Sequence, residues 1–104
     1  MSRGPDAATL LARALDLSAR SAGLSLTLRH ADWRRWASAT FTGARHELTV
    51  ELPDGDAAER WLAALSEAEL PIRGHLVADA VVLRKHGEGD LLVVALEILT
   101  VEDF

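Results

Sequence analysis

The run "LLVVALEILTV", residues 91–101, restricts the fold more than any other segment. Its only interruptions are Glu97 and Thr100, and the rest are β-branched residues, leucine and alanine. Such a run reads as a strand that is apolar on both faces. The preceding "GHLVADAVVLRK" has the same character, and "HGEGD" between them reads as a hairpin turn. Alternation puts Leu76, Ala78, Ala80 and Val82 with Leu92, Val94, Leu96 and Ile98 on the inner face. Val77, Val81, Leu83, Leu91, Val93, Leu99 and Val101 fall on the outer one. Both faces need cover, and two short helices suffice for one.

The rest of the chain supplies those helices. Pro5 and Asp6 suit a first helical turn. Leu10, Leu11, Ala14, Leu15, Leu17, Ser18 and Ala22 follow a helical period, and Gly23 is a C′ stop. "LSLTLRH" alternates as a half-buried strand, with His30 in phase with Leu24, Leu26 and Leu28. "WASATFTGARHELTVEL" reads as a hairpin about Gly43–Ala44, in which Phe41 faces His46, Ala39 faces Leu48 and Ala37 faces Val50. "PDGDAAERWLAALSEAEL" is a second helix. Asp56 and Glu59 have capping-box spacing, and Ala58, Trp61, Leu62 and Leu65 form a stripe that Pro71 ends. The expected fold is α+β: one domain over 1–104, in two layers. A five-stranded, mainly antiparallel sheet carries both helices on one face, in the order α-β-β-β-α-β-β. Double-stranded RNA-binding domains share the order helix, three strands, helix. They carry a lysine-rich motif where this chain has "PDGDAAE", so no family is assigned.

Composition excludes several functions. A net charge of −5 opposes binding to nucleic acid, whose affinity comes from phosphate neutralisation, and to anionic membranes. No cysteine is present, so thiolate metal sites, disulfides and cysteine nucleophiles are out. Ten arginines against Lys85 alone, with no Asn, Gln or Tyr, point to a GC-rich bacterial genome. No secretory h-region or spanning run is evident, so the expected compartment is the cytoplasm. His30, His46, His75 and His86 lack ligand spacing, and neither a metal nor any other cofactor is expected.

Three clusters carry possible chemistry. Trp33, Arg34, Trp36 and Arg45 are binding candidates, because arginine and tryptophan dominate interface hot spots and stack on one another. The bland alternative is a tryptophan closing the core beneath arginine cover. His46, beside Arg45 and a glycine turn, is a catalytic or anion-binding candidate against a hydrogen-bonded core role. Asp79 and Glu97 form the third. With Lys85 opposite Leu91 they face each other in an apolar surround, where each raises the other's pKa. A different register would separate them.

The leading functional expectation is a small protein that acts by protein–protein association, as a homodimer. Its interface is Val77, Val81, Leu83, Val93, Leu99 and Val101. The alternative is a small enzyme, or an anion- or ligand-binding protein, using Arg45, His46, Asp79 and Glu97, with no substrate named. That alternative requires the four groups to converge on one concavity.

Overall fold

A computed structural model describes residues 6–102. The expected start of the first helix at Pro5 lies outside them. Helix α1 (Ala7–Ser21) is capped by Asp6, whose carboxylate accepts a hydrogen bond from the Thr9 amide at 2.9 Å. Those Thr9 bonds hold the Asp6 carboxyl below its ordinary range. Gly23, at φ 77°, ends α1, with the Leu24 amide returning to the Ala19 carbonyl. Strands β1 (Thr27–Ala37) and β2 (Thr42–Pro53) follow, then α2 (Asp56–Ala64), a short 3-10 turn (Leu65–Glu67), and strands β3 (His75–Glu88) and β4 (Leu91–Glu102). The fold is α+β, with one four-stranded antiparallel sheet in the order β1-β2-β4-β3. None of the described helices is long and apolar enough to cross a membrane.

The sheet has four strands, not five, because the two segments expected on either side of Ala31–Arg35 are one continuous strand. The turn lies at Ser38–Phe41, not at Gly43–Ala44. The Ser38 side chain accepts from the amides of Thr40 and Phe41, closing the loop without glycine. His46 therefore opposes Trp33 rather than Phe41. Gly43 serves another purpose. A methyl group there would lie 1.9 Å from the Thr100 carbonyl oxygen and 3.0 Å from the Trp36 ring. It is a close-approach site between β2, β4 and an overlying indole. The capping box at α2 does not form: Gly55 is its N-cap, without a side-chain bond, and Asp56 is the first helical residue.

Three extra residues change the phase of the edge strands. The β1–β2 register shifts between Leu28 and His30, and the β3–β4 register shifts between Val77 and Asp79 and again between Val82 and Arg84. Each inserts one residue, namely Arg29, Ala78 and Leu83. The first moves His30 off the core face to oppose Thr49. The second puts Val77 opposite Thr100 and Leu76 opposite Val101, exchanging the faces expected for them. The tight turn at Gly89–Asp90 pairs Lys85 with Val94 instead of Leu91, so Asp79 opposes Leu99 and Val81 opposes Glu97. The facing acid pair is not formed; the register is one that separates Asp79 from Glu97.

One face of the sheet is closed by both helices. Leu11, Ala14, Leu15 and Ala19 of α1, with Ala58, Trp61 and Leu62 of α2, form a single buried cluster with Leu48, Val50, Leu52, Leu92, Val94, Leu96 and Ile98. Trp61 Nε1 donates to Ser18 Oγ at 3.0 Å, tying one helix to the other. Leu17, expected in the α1 stripe, is exposed.

Candidate functional site

The other face carries the site. Cross-strand partners point to the same side of a sheet, so the registers arrange its side chains in rows. Trp36, Gly43, Val101 and Leu76 form the first, running from β1 to β3. Arg34, Arg45, Leu99 and Asp79 form the second, and Asp32, Glu47, Glu97 and Val81 the third. His30, Thr49, Ala95 and Arg84 follow. Rows on one face are about 6.7 Å apart. The pattern runs lengthwise as well as crosswise. The β1–β2 half is charged, while the β4–β3 half is more apolar, presenting Val101, Leu76, Leu99, Val81 and Ala95 around Glu97, Asp79 and Arg84.

Like charges placed directly opposite one another destabilise a sheet. Here two arginines stand in one row and three carboxylates in the next. Among the described residues none of these five groups makes an ion pair. They surround an open concavity of about 530 Å³, lined by Asp32, Trp33, Arg34, Arg35, Trp36, Arg45, Glu47 and Glu97. Trp36 is half-buried there, and its indole Nε1 is buried without a hydrogen-bond partner.

The far end of the same face is different. Arg29 pairs with Glu51 and, at 3.0 Å, with Glu88, which also contacts His86 at 2.7 Å. The Arg29 guanidinium, and His86 after it, hold the Glu88 carboxyl below its usual range. This network pairs Arg29 with two carboxylates, and Val93 in the same strand region is 4% exposed.

All four binding candidates, Trp33, Arg34, Trp36 and Arg45, line the concavity with Glu97, though by register Trp33 stands opposite His46 on the other face of β1. His46 is not with them. It lies on the helix-covered face, 2% exposed, with Nε2 3.0 Å from Thr100 Oγ1. Thr100 Oγ1 donates to the Ala44 carbonyl, leaving its lone pairs to accept from His46 Nε2–H. Burial pushes His46 below the ordinary histidine pKa, and nearby His75 pushes the same way, against a weaker pull from Asp6. Asp79 lies in Arg45's row but outside the concavity, with Leu99 between them, and it accepts from the Ala80 amide. The four groups of the enzyme alternative are therefore split between two faces. Among the described residues no three His, Asp or Glu side chains are placed to hold a metal ion. Sequence reasoning passed over Asp32 and Glu47 as site residues, since only the β1 register places them in one row with Glu97.

No family model matches the chain, and neither a curated protein nor a solved structure shows significant similarity to it.

Proposed function

We propose that this protein acts by association, pairing with a second copy of itself through the open face of its sheet. The observation that carries this reading is the one-sided placement of the helices. The apolar half of the opposite face has no cover, with Leu76 at 57%, Val81 at 40% and Leu83 at 45% exposed. Four strands about 4.8 Å apart and some 12 residues long present on the order of 700 Å². That approaches the roughly 800 Å² per partner of a stable interface. The edges offer a poorer surface. β1 is interrupted at Arg29 and bears Asp32, Arg34 and Arg35, and β3 is interrupted twice and bears Arg84 and Lys85. Irregularity and charge of this kind discourage edge-to-edge pairing. The face remains. Lack of cysteine and the arginine-rich, alanine-rich composition favour a bacterial cytosol as the setting.

Sedimentation across micromolar concentrations tests this. The protein should run as a dimer, and Val81→Asp, which places a charge in the exposed half, should run as a folded monomer with an unchanged circular dichroism spectrum and a melting temperature lowered only where wild type is dimeric. A wild-type monomer, or a dimer indifferent to Val81→Asp, overturns the interface.

A second reading has its own support. Two unpaired arginines beside a tryptophan with an orphaned N–H suit a small anion, so the concavity is a candidate ligand site. Calorimetric titration with inorganic phosphate or a simple carboxylate, repeated on Arg45→Ala, tests it. Saturable binding that Arg45→Ala abolishes supports this reading, and its absence removes it for those anions.

A further inference from the structure

Resting on the association reading, we infer that the two copies meet about a two-fold axis perpendicular to the strands. That axis passes between the arginine row and the carboxylate row, laying each row of one copy over the opposite-sign row of the other. The rows themselves select it. In face-to-face packing, a two-fold axis parallel to the strands lays β1 on β3 and β2 on β4. That arrangement buries the charged half against the apolar half, and it sets Glu47 of one copy against Glu97 of the other. An axis perpendicular to the strands lays each strand on its own counterpart. The β1–β2 charges then meet β1–β2 charges, while in the other half Leu99 comes over Glu97 and Val81 over Asp79.

Within the β1–β2 half the sign changes once, between Arg34–Arg45 and Asp32–Glu47, and Glu97 of β4 extends the carboxylate row. An axis at that change pairs these cations with these anions. Arg34 then lies over Asp32, and Arg45 over Glu47, twice over by symmetry. The third carboxylate, Glu97, is one strand spacing from Glu47, about 4.8 Å, within reach of the same arginine. The segregation costs the isolated chain like-charge repulsion within each row, while at the far end of the same face Arg29 is paired with Glu51 and Glu88. Charges left unpaired at one end alone are what a self-complementary electrostatic match requires.

Charge reversal tests the axis. Variant one carries Arg34→Glu and Arg45→Glu. Variant two carries Asp32→Arg and Glu47→Arg. Variant three carries all four substitutions, which exchanges the two rows. Variants one and two should each dimerise at least about 100-fold more weakly than wild type at low salt. Their mixture should form a heterodimer within about tenfold of wild-type affinity, and variant three should dimerise by itself. Variant three also shows whether the substituted sheet folds, since its circular dichroism should match wild type. The two levels of the proposal fail differently. If wild type is monomeric, the association reading falls and takes the axis with it. If wild type dimerises and variants one and two do so equally well, association stands and the axis is wrong. If those variants are folded monomers whose mixture forms no heterodimer, the charges serve something other than this two-fold contact, and the axis is again overturned.

Discussion

β4 has two faces with opposite fates. Leu92, Val94, Leu96, Ile98 and Thr100 lie against the helices or beneath their edge and are buried. One residue out of phase, Leu91, Ala95, Glu97, Leu99 and Val101 are only half-buried, and Val93 alone on that side is buried, beside Arg29 and its partners. The strand is nearly as apolar on the second side as on the first. What separates them is cover supplied from within the chain. Composition of a strand thus reports how much burial it needs, and packing reports how much of that the chain provides. The shortfall is where the proposed second copy would pack.

The sharpest break of this comparison is a matched truncation on adjacent residues. Ile98→Ala opens a cavity in a site with no exposed surface and should cost about 2–5 kcal/mol in urea denaturation. Leu99→Ala, measured where the protein is dilute, should cost about 1 kcal/mol or less. At concentrations where the chain associates, the Leu99→Ala cost should grow and become concentration-dependent. Equal costs under all conditions would mean that the outer side is closed within one chain.

Gly43→Ala comes next. Its methyl group would meet the Thr100 carbonyl at 1.9 Å, so the β2–β4 spacing must give locally. An overpacking cost of roughly 1–3 kcal/mol is expected. Because Trp36 lies over the same glycine, its fluorescence should shift as well. A neutral substitution would show that the two strands are looser here than the register implies.

How much of this was legible in the sequence follows from where side chains decide and where backbone does. The phases of β2 and β4 could be read, since a central strand covered from one side must keep His46, Leu48 and Val50, and Leu92, Val94, Leu96 and Ile98, on that side. The pairing of helices on one face was legible for the same reason. The edge strands were not. An extra residue at Arg29, Ala78 or Leu83 reverses the alternation beyond it, and nothing in those side chains announces the insertion. Gly43 acted as a decoy: glycine before a polar run signals a turn, but the turn is made by Ser38 and the glycine by the Trp36 contact. The candidate site divides likewise. Arg34, Trp36 and Arg45 were legible by residue type. Their confrontation with Asp32, Glu47 and Glu97 depended on a register that the misplaced turn concealed.

His46 gives a smaller effect, confined to pH. Its folded-state pKa is lowered by burial, so the unfolded chain takes up a proton that the folded chain refuses. Stability is therefore full above the ordinary value of about 6.5 and declines as pH falls from there toward the folded value. His46→Phe should flatten that decline relative to wild type, whatever it does to stability at pH 8. An unchanged slope between pH 6.5 and 5 would assign the decline to other groups. The contrast belongs to the covered face, because it needs a histidine sealed by helices.

The smallest effect is expected at the ion-paired end of the outer face. Arg29 lies between Glu51 and Glu88 and so links edge strand β1 to edge strand β3 across both central strands. Its partners are in water, and exposed ion pairs are screened by salt and offset by the entropy of holding long side chains. Arg29→Gln should lower the melting temperature slightly in dilute buffer and not at all in 1 M salt. Glu88 adds a pH signature. Its folded-state pKa is depressed, so its contribution is present above the ordinary carboxylate value and is lost as pH falls through the folded one. The difference between wild type and Arg29→Gln should accordingly shrink in acid. A loss that persists at high salt would mean that the Arg29 side chain stabilises the sheet by covering the Val93 region rather than by charge. The outer face would then be closed by its own side chains at one end and left to a partner only at the other.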